Sequence, residues 1–380
     1  MPIKICAFGD IHGINIGGTI VEKVNELIKQ DPKQIIVFLG DYIDRGGHER
    51  DILMALNYLR CKYDNCIFLL GNHEGWMIDA LYSLNYININ PEKNFPILSD
   101  INHPVNKWLK NGGFSTVLSL AKYDPLKGPK CLEDCKILAD SFCREFVKFR
   151  QFFQLLVGKL SISDDISNTH YRFTHAGPNI KKQYKNGETG EYTIVQKKAN
   201  NRRPNNRVLM SNAPSEMWEE VNTKYLAYRR TKPGHARDYT KINVFGHTIT
   251  PIQTIKHRIN SDGLYPLDAG SFNTGKIAKL NIVIGSESER KRELEIIGNR
   301  DLIKEKWADK KDKKIEIATS ILSCINSSFN DSLTATEEIF KRKIRIEIVP
   351  VPRAQGKAYV GLDARSFHFS NPRIPFIINY

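Results

Sequence analysis

The sequence has no apolar run long enough to cross a membrane. Its longest runs, residues 34–40 and 66–71, fall far short of the roughly 18 apolar residues that a membrane-spanning helix needs. The segment Met1–Asp10 also lacks the charged start and apolar core of a secretory signal. We therefore predict no membrane span and a cytoplasmic location, with secretion into a host cell without a Sec signal as the alternative.

Cysteine is scarce, and its spacing does not indicate a cross-linked or zinc-binding protein. The seven cysteines are odd in number and include no CxxC pair, which disfavours both a disulfide framework and a metal site built on Cys131, Cys135 and Cys143. Reduced thiols are therefore expected. Helix-turn-helix, zinc-finger and RNA-binding signatures are also absent, so we do not expect a nucleic-acid partner.

Acidic residues are in deficit, with 42 Asp and Glu against 56 Lys and Arg and a formal net charge of +14. This excess indicates an anionic partner. Residues 1–180 carry 20 basic and 20 acidic residues, whereas residues 181–207 carry eight basic and two acidic ones. We expect this basic block to attract an acidic or phosphorylated substrate.

Hydrophobic periodicity in the first 75 residues predicts alternating strands and helices. The apolar segments Lys4–Phe8, Gln34–Leu39 and Cys66–Leu70 are typical of strands, and Thr19–Lys29 and Asp51–Leu59 have helical periodicity. The order βαβαβ predicts a largely parallel sheet in a mixed α/β domain.

The sheet-forming pattern continues to about residue 286, so we predict a first domain over residues 1–286. Its later strands are predicted at Tyr171–Thr174, Ile242–Phe245 and Ile277–Ile284. Two segments interrupt them: a helical one at 123–165, which carries a stripe of phenylalanines, and a basic one at 181–241.

Beyond the first domain the sequence becomes charged. We predict a mainly helical C-terminal extension over residues 287–380, with a helix at Glu287–Lys314 and a strand-like segment at Ile344–Val349. This extension either packs against the core or binds a partner protein.

Polar residues stand where the predicted strands end, which is the edge of an α/β sheet where ligands gather. Asp10, Asp41 and Asn72 follow the first three strands at intervals of 31 positions, about the length of one βαβ repeat. The motifs are Gly9-Asp10-Ile11-His12-Gly13, Gly40-Asp41-Tyr42-Ile43-Asp44-Arg45-Gly46, Gly71-Asn72-His73-Glu74, Thr174-His175-Ala176-Gly177 and Phe245-Gly246-His247-Thr248.

Carboxylate, amide and imidazole ligands in such a cluster suit divalent ions such as Mn, Fe or Zn. Two ions fit better than one, because the set exceeds the three or four protein ligands of a single zinc. One carboxylate would then bridge them.

These motifs resemble those of the metallophosphoesterases, specifically the phosphoprotein phosphatase (PPP) superfamily. The bacterial branch, with its lambda-type phosphatases and diadenosine tetraphosphatase-like enzymes, is the most similar. Trp108 with Asn111–Gly113, and Leu267–Gly270, resemble further motifs of that branch. The resemblance covers residues 1–286 and implies a calcineurin-like α/β sandwich, in which helices flank two central sheets.

The resemblance also implies a dinuclear metal centre. Manganese is the first choice, with Fe, Zn or Mg as alternatives. The implied ligands are Asp10, His12 and Asp41 for the first ion, and Asp41, Asn72, His175 and His247 for the second.

The resemblance assigns catalytic roles as well. His73 would protonate the leaving oxygen, Asp44 would orient His73, and Arg45 would bind the phosphate together with Asn72. A water that bridges the metals would attack directly, so no phosphoenzyme forms.

The sequence departs from the family in its second phosphate-binding arginine. In the bacterial branch this residue lies in a W-x-R element, whereas here Trp218 is followed by two glutamates. The candidates to replace it are Arg207, Arg229, Arg230 and Arg237.

The function that these features predict is a metal-dependent phosphatase acting on phosphoserine or phosphothreonine, with phosphotyrosine as a further substrate. One alternative is a hydrolase of dinucleoside polyphosphates. The other is a phosphatase core that serves mainly as a platform for partner binding through residues 287–380.

Overall fold

The computed structural model describes residues 2–85, 103–164, 169–176, 182–185, 192–195, 241–261, 263–285, 291–298, 310–325, 349–353 and 356–363. The helices are α1 (Gly17–Gln30), α2 (Glu49–Lys62), α3 (Asn72–Asn85), α4 (Pro104–Trp108), α5 (Phe114–Leu120), α6 (Leu132–Gln154), α7 (Ile252–Ser261), α8 (Ser271–Thr274) and α9 (Lys311–Ser323). A π-helical turn, Leu109–Gly113, joins α4 to α5, and a 3₁₀ turn, Pro125–Lys127, precedes α6.

The strands form two large sheets and a hairpin. The strands are β1 (Ile3–Phe8), β2 (Ile35–Phe38), β3 (Cys66–Phe68), β4 (Lys159–Asp164), β5 (Thr169–Thr174), β6 (Lys182–Lys185), β7 (Tyr192–Val195), β8 (Lys241–Phe245), β9 (Leu264–Pro266), β10 (Lys276–Ile284), β11 (Lys291–Gly298), β12 (Val349–Arg353) and β13 (Gly356–Asp363). The sheet orders are β11-β10-β1-β2-β3 and β12-β13-β4-β5-β8-β9, and β6 pairs with β7 alone.

The first sheet contains the predicted βαβαβ unit. β1 pairs with β2, and β2 with β3, in parallel, whereas β10 and β11 are antiparallel additions at the other edge. The parallel prediction is therefore confirmed for the first three strands. Phe8, Phe38 and Phe68 stack across them with centroid separations of 4.8 and 4.9 Å.

Alternate residues of β1 enter different cores, because successive side chains of a strand point to opposite faces. Ile3, Ile5 and Ala7 lie in the core between the two sheets. Cys6 and Phe8 lie in the core between the first sheet and its helices. Both faces are covered, which explains why the strand is apolar almost throughout. The predicted calcineurin-like sandwich is the fold observed.

The helical prediction for residues 123–165 is correct only in part. α6 carries the predicted phenylalanine stripe into the helical core. However, Lys159–Asp164 is strand β4 rather than helix. Leu160 and Ile162 are buried two residues apart, which is the period of a strand, and the pairing of β4 with β5 supplies its hydrogen bonds.

The prediction of a mainly helical extension is wrong for its described residues. Lys291–Gly298, inside the predicted helix, is strand β11 on β10, and β12 and β13 join the second sheet beside β4. α9 is the helix described in this region. At the edges of the two sheets these segments form backbone hydrogen bonds with strands that are distant in the sequence, and this pairing outweighs local helix propensity.

Of the predicted basic insertion at residues 181–241, the structure describes the two strands of the β6–β7 hairpin and Lys241, the first residue of β8. The rest of the insertion lies outside the described residues. Among the helices that the structure describes, none is long and apolar enough to cross a membrane.

Candidate active site

The loops after β1, β2, β3, β5 and β8 converge and bring the predicted ligands together. Several of their residues have a positive φ, a conformation that side chains other than glycine rarely adopt and that is concentrated at functional sites. These residues and their φ angles are His12 (49°), Asp41 (52°), Asp44 (72°), Arg45 (79°) and His247 (67°).

Two glycines allow these loops to approach each other. A Cβ atom on Gly246 would lie 1.9 Å from Asp10 Oδ1, and one on Gly71 would lie 2.2 Å from the Asp41 backbone nitrogen. Any side chain at these positions would push the loops apart, so glycine is required for the cluster to form.

The carboxylate of Asp41 lies at the centre of the cluster. Its Oδ2 is 3.3 Å from His175 Nε2 and 3.7 Å from His12 Nε2. Asp41 belongs to both groups of side chains that could hold a metal ion: one with His12 and His73, the other with His175 and His247. This placement is what a bridging carboxylate requires.

Asn72, the first residue of α3, completes the second group. Its Oδ1 lies 2.9 Å from His175 Nε2 and 2.7 Å from His247 Nδ1. An amide oxygen can only accept hydrogen bonds or bind a cation, so it suits a place among metal ligands.

Asp10 provides a test of whether the cluster fits a cation. Its Oδ2 accepts a hydrogen bond from the backbone N–H of His247 at 2.9 Å, but its buried Oδ1 has no hydrogen-bond partner among the described residues. A buried carboxylate oxygen without a partner is costly, and a divalent cation would satisfy it.

The orientation of two imidazole rings also indicates that the cluster fits a cation. His12 Nδ1 donates to the Ile43 carbonyl at 3.1 Å, and His175 Nδ1 donates to the Leu39 carbonyl at 2.9 Å. Each ring therefore turns Nε2 towards Asp41, and in the neutral ring this nitrogen would carry the lone pair that binds a metal ion. The donor set fits divalent metal ions.

The buried charges shift one another strongly. Burial lowers the pKa of His175, but the carboxylates of Asp41, Asp10 and Glu74 outweigh it and raise this pKa to about 10. Burial and the charge of His175 lower the pKa of His247 to about 4. Burial and the neighbouring carboxylate of Asp268 raise the pKa of Asp10 well above its ordinary value.

His73 and Asp44 form a tight pair beside the ligands. His73 Nδ1 donates to Asp44 Oδ2 at 2.6 Å, and His73 Nε2 lies 4.0 Å from Asp41 Oδ2. Trp108 Nε1 donates to both Asp44 oxygens at 3.0 and 3.1 Å, and Thr116 Oγ1 donates to Oδ1 at 2.5 Å. These hydrogen bonds hold the Asp44 carboxyl group in place, and Asp44 in turn fixes the His73 ring.

Arg45 lies next to the cluster and is held by the π-helical turn. Its backbone N–H donates to the Gly112 carbonyl at 3.3 Å, and Nε donates to the Asn111 carbonyl at 3.4 Å. Its guanidinium lies 4.5 Å from the ring centroid of Phe272 and donates to His12 Nε2 at 3.1 Å. The side chain is thus directed at the site.

Glu74 is a supporting residue to which the sequence analysis gave no role. Its buried carboxylate accepts hydrogen bonds from four backbone N–H groups, those of Gly71, Asp41, Tyr42 and Ile43. The carboxylate thereby fixes the loop that carries Asp41. The sequence feature that could have indicated this role is the position of Glu74 in the third strand-end motif, directly after His73.

Asp268 and Phe272 were also given no role. Asp268 is buried near Asp10, and burial raises its pKa to about 6. Phe272 packs edge-on against His12, with a centroid separation of 5.4 Å. The Leu267–Gly270 motif could have indicated Asp268.

The candidate arginines for the second phosphate contact lie outside the described residues. They are Arg207, Arg229, Arg230 and Arg237. Their role stays a prediction.

The chain belongs to the calcineurin-like phosphoesterase family, which it matches over residues 3–251. This membership agrees with the two-sheet sandwich and with the carboxylate, amide and imidazole cluster at the strand ends.

Two similar proteins are serine/threonine-protein phosphatases, and the similarity covers a short part of the chain. The chain is 38% identical over 90 residues to the serine/threonine-protein phosphatase 6 catalytic subunit of Caenorhabditis elegans, covering 21% of this chain and 23% of that protein. A second serine/threonine-protein phosphatase of Caenorhabditis elegans is 37% identical over 82 residues, covering 21% of each. The chain therefore spans less than a quarter of the length of these relatives.

Solved structures give a more distant similarity. A serine/threonine phosphatase from Saccharomyces cerevisiae is 15% identical, with a TM-score of 0.37 over 78% of this chain and 80% of that chain. A structure described as a diadenosine tetraphosphatase is 12% identical, with a TM-score of 0.32 over 78% of this chain and 94% of that chain.

Proposed function

We propose that this protein is a metal-dependent phosphoprotein phosphatase that hydrolyses phosphate monoesters of serine or threonine, with phosphotyrosine as a further substrate. The observation that carries the proposal is the position of Asp41. Its carboxylate belongs to two groups of side chains that could hold a metal ion, one with His12 and His73 and one with His175 and His247. Asp10, whose Oδ1 has no partner among the described residues, is hydrogen-bonded to the backbone of His247. Two divalent ions fit this set, with manganese as the first choice.

Asp10, His12 and Asp41 would hold one ion, and Asp41, Asn72, His175 and His247 the other. When bound, the ions would supply a nucleophilic water at neutral pH and neutralise charge on the phosphate oxygens.

The remaining chemistry belongs to side chains of this chain. Arg45 would bind phosphate oxygens through its planar guanidinium, because its backbone and Nε are fixed by the π-helical turn. His73 would deliver a proton from Nε2 to the leaving oxygen. Asp44 would stabilise the protonated imidazole through the bond to Nδ1.

The proposal is tested by loading the metal-free protein with Mn²⁺ and measuring turnover of p-nitrophenyl phosphate and phosphoserine peptides. We expect metal-dependent hydrolysis that is lost in Asp41→Asn and His73→Ala. The matched control is Asp51→Asn, because Asp51 is exposed on α2. Turnover that survives both active-site substitutions would contradict the proposal.

Diadenosine tetraphosphate should be assayed at the same time. We expect a higher kcat/KM for the phosphopeptide. A large preference for the dinucleotide would replace the proposed substrate with the alternative one and leave the metal chemistry unchanged.

A further inference from the structure

An aromatic and basic rim borders the cluster on the side of His73. We call Trp76, Lys107 and Lys110 the α3–α4 rim. Trp76 lies one turn after His73 on α3, and the two rings have a centroid separation of 4.8 Å. Lys107 Nζ lies 5.2 Å from the centroid of the Trp76 ring.

Lys107 contacts an aromatic ring and is still accessible to a ligand. Its side chain is exposed, and contact with the face of a tryptophan attracts an ammonium group. Within the described part of the chain it forms no ion pair. Residues 103–113 include Lys107 and Lys110 but no Asp or Glu, so this segment is positively charged.

The position of the rim indicates which part of a substrate would reach it. His73 would protonate the leaving oxygen, and in a phosphoprotein that oxygen belongs to the phosphorylated residue itself. Groups next to His73 on the solvent side therefore face the peptide rather than the phosphate. Trp76 is half-buried and contacts His73, which places the rim on this side.

The contacts of the Trp76 ring with His73 and with Lys107 limit the distance between Lys107 and the His73 ring. Together they put Lys107 Nζ at most about 10 Å from the centre of the His73 ring. An extended peptide advances about 3.3 Å per residue. The ammonium group therefore lies within reach of a side chain two or three residues from the phosphorylated one.

We propose that the α3–α4 rim is a specificity subsite that recognises an acidic side chain two or three residues from the phosphorylated residue. The inference rests on the proposed function. Lys107 pairs with the carboxylate, and the Trp76 ring packs against the aliphatic part of the same side chain. An exposed ion pair of this kind is worth up to about 1 kcal/mol, which corresponds to about fivefold in affinity.

The test uses phosphoserine peptides that differ at one position, with Glu, Gln or Lys placed two or three residues to either side of the phosphoserine. We measure kcat/KM for each peptide with the Mn²⁺-loaded full chain. The variants are Lys107→Glu and, as a matched control, Lys29→Glu, because Lys29 is an exposed lysine on α1.

We expect the wild type to prefer the Glu peptide over the Lys peptide by about fivefold at one of these positions, and less so in high salt. Lys107→Glu should reverse the preference, and Lys29→Glu should keep it. A wild type that hydrolyses p-nitrophenyl phosphate but does not distinguish the peptides would overturn this inference alone.

Two other results are also decisive. If Lys107→Glu slowed all peptides equally, or affected diadenosine tetraphosphate instead, the rim would not be a subsite for acidic peptides. If no phosphate ester were hydrolysed by the Mn²⁺-loaded protein, the proposed function would fail, and the inference would fail with it.

Discussion

Glu49, the first residue of α2, is a buried carboxyl group with an unusual set of contacts. Its side chain is completely buried, and Oε1 accepts a hydrogen bond from the backbone N–H of Gly47 at 3.1 Å. Oε1 also makes a short contact with Ser115 Oγ, which in turn donates to the Gly112 carbonyl at 2.9 Å. Its Oε2 has no hydrogen-bond partner among the described residues.

The hydrogen atoms available to Glu49, Ser115 and the Gly112 carbonyl favour a neutral Glu49. A serine hydroxyl has one hydrogen, and here the Gly112 carbonyl can only accept. Both of the contacts of Ser115 are satisfied when a protonated Glu49 donates to Oγ. Burial, the largest effect, raises the pKa of Glu49 to about 7, and the charge of Asp44 acts in the same direction.

This shift makes the stability of the fold depend on pH. An ordinary glutamate has a pKa of 4.5, so between pH 4.5 and about 7 the folded state binds more protons than the unfolded state. The free energy of unfolding therefore falls as the pH rises through this window. Above about pH 7, the ionised Glu49 lowers the free energy of unfolding by about 3 kcal/mol. This figure follows from the rise of its pKa from 4.5 to about 7, because one pKa unit corresponds to about 1.4 kcal/mol.

We predict that Glu49→Gln removes this cost, since an amide stays neutral and its oxygen, in the place of Oε1, still accepts from the Gly47 N–H. Urea denaturation should give the variant the same stability as the wild type near pH 4.5 and about 3 kcal/mol more near pH 8.5. Exposed Glu26, on α1, provides the control Glu26→Gln, which should show no pH-dependent difference. If Glu49→Gln had the same effect at both pH values, or destabilised the protein at pH 8.5, the reasoning would be refuted.

Three further predictions concern residues that support the site and strands that complete the sheets. Glu74→Gln should lower the free energy of unfolding by about 3 kcal/mol in urea denaturation, because an amide cannot accept all of the backbone hydrogen bonds that the carboxylate accepts. Gly246→Ala should weaken Mn²⁺ binding about tenfold or more in calorimetric titration, because its Cβ would displace Asp10. Truncation after Ser286 should give an unfolded or insoluble product by circular dichroism, because it removes β11, β12 and β13 from the two sheets.

Each of these predictions has a contradicting result. Unchanged stability in Glu74→Gln would mean that the loop of Asp41 does not depend on the carboxylate. Normal Mn²⁺ affinity in Gly246→Ala would mean that the Asp10 carboxyl group is not held against Gly246. A folded, active truncation product that had lost a protein partner would support recruitment by residues 287–380 instead.

The parallel strands and the site motifs could be predicted because both depend on local sequence. Each of the first three strands is a short apolar segment followed by a polar motif. The spacing of 31 positions between Asp10 and Asp41, and again between Asp41 and Asn72, brings these motifs to one sheet edge. The convergence of the loops follows from the topology of the sheet.

Strands β4 and β11 could not be predicted in the same way. Lys291–Gly298 is rich in charged residues, and it is a strand because it pairs with β10 and because Lys279 binds Glu295 at 2.6 Å. Such contacts join residues far apart in the sequence and are invisible to periodicity. The role of Glu74 was missed for a related reason, since it acts on backbone N–H groups.

The central claim is that Asp41 is shared by two metal ions. Its most direct test is to titrate Mn²⁺ into metal-free protein, count bound ions by equilibrium dialysis, and record low-temperature electron paramagnetic resonance spectra. The account predicts two Mn²⁺ ions per chain with a spin-coupled spectrum, and loss of the coupling in Asp41→Asn. A single bound ion, or two ions without coupling, would contradict it.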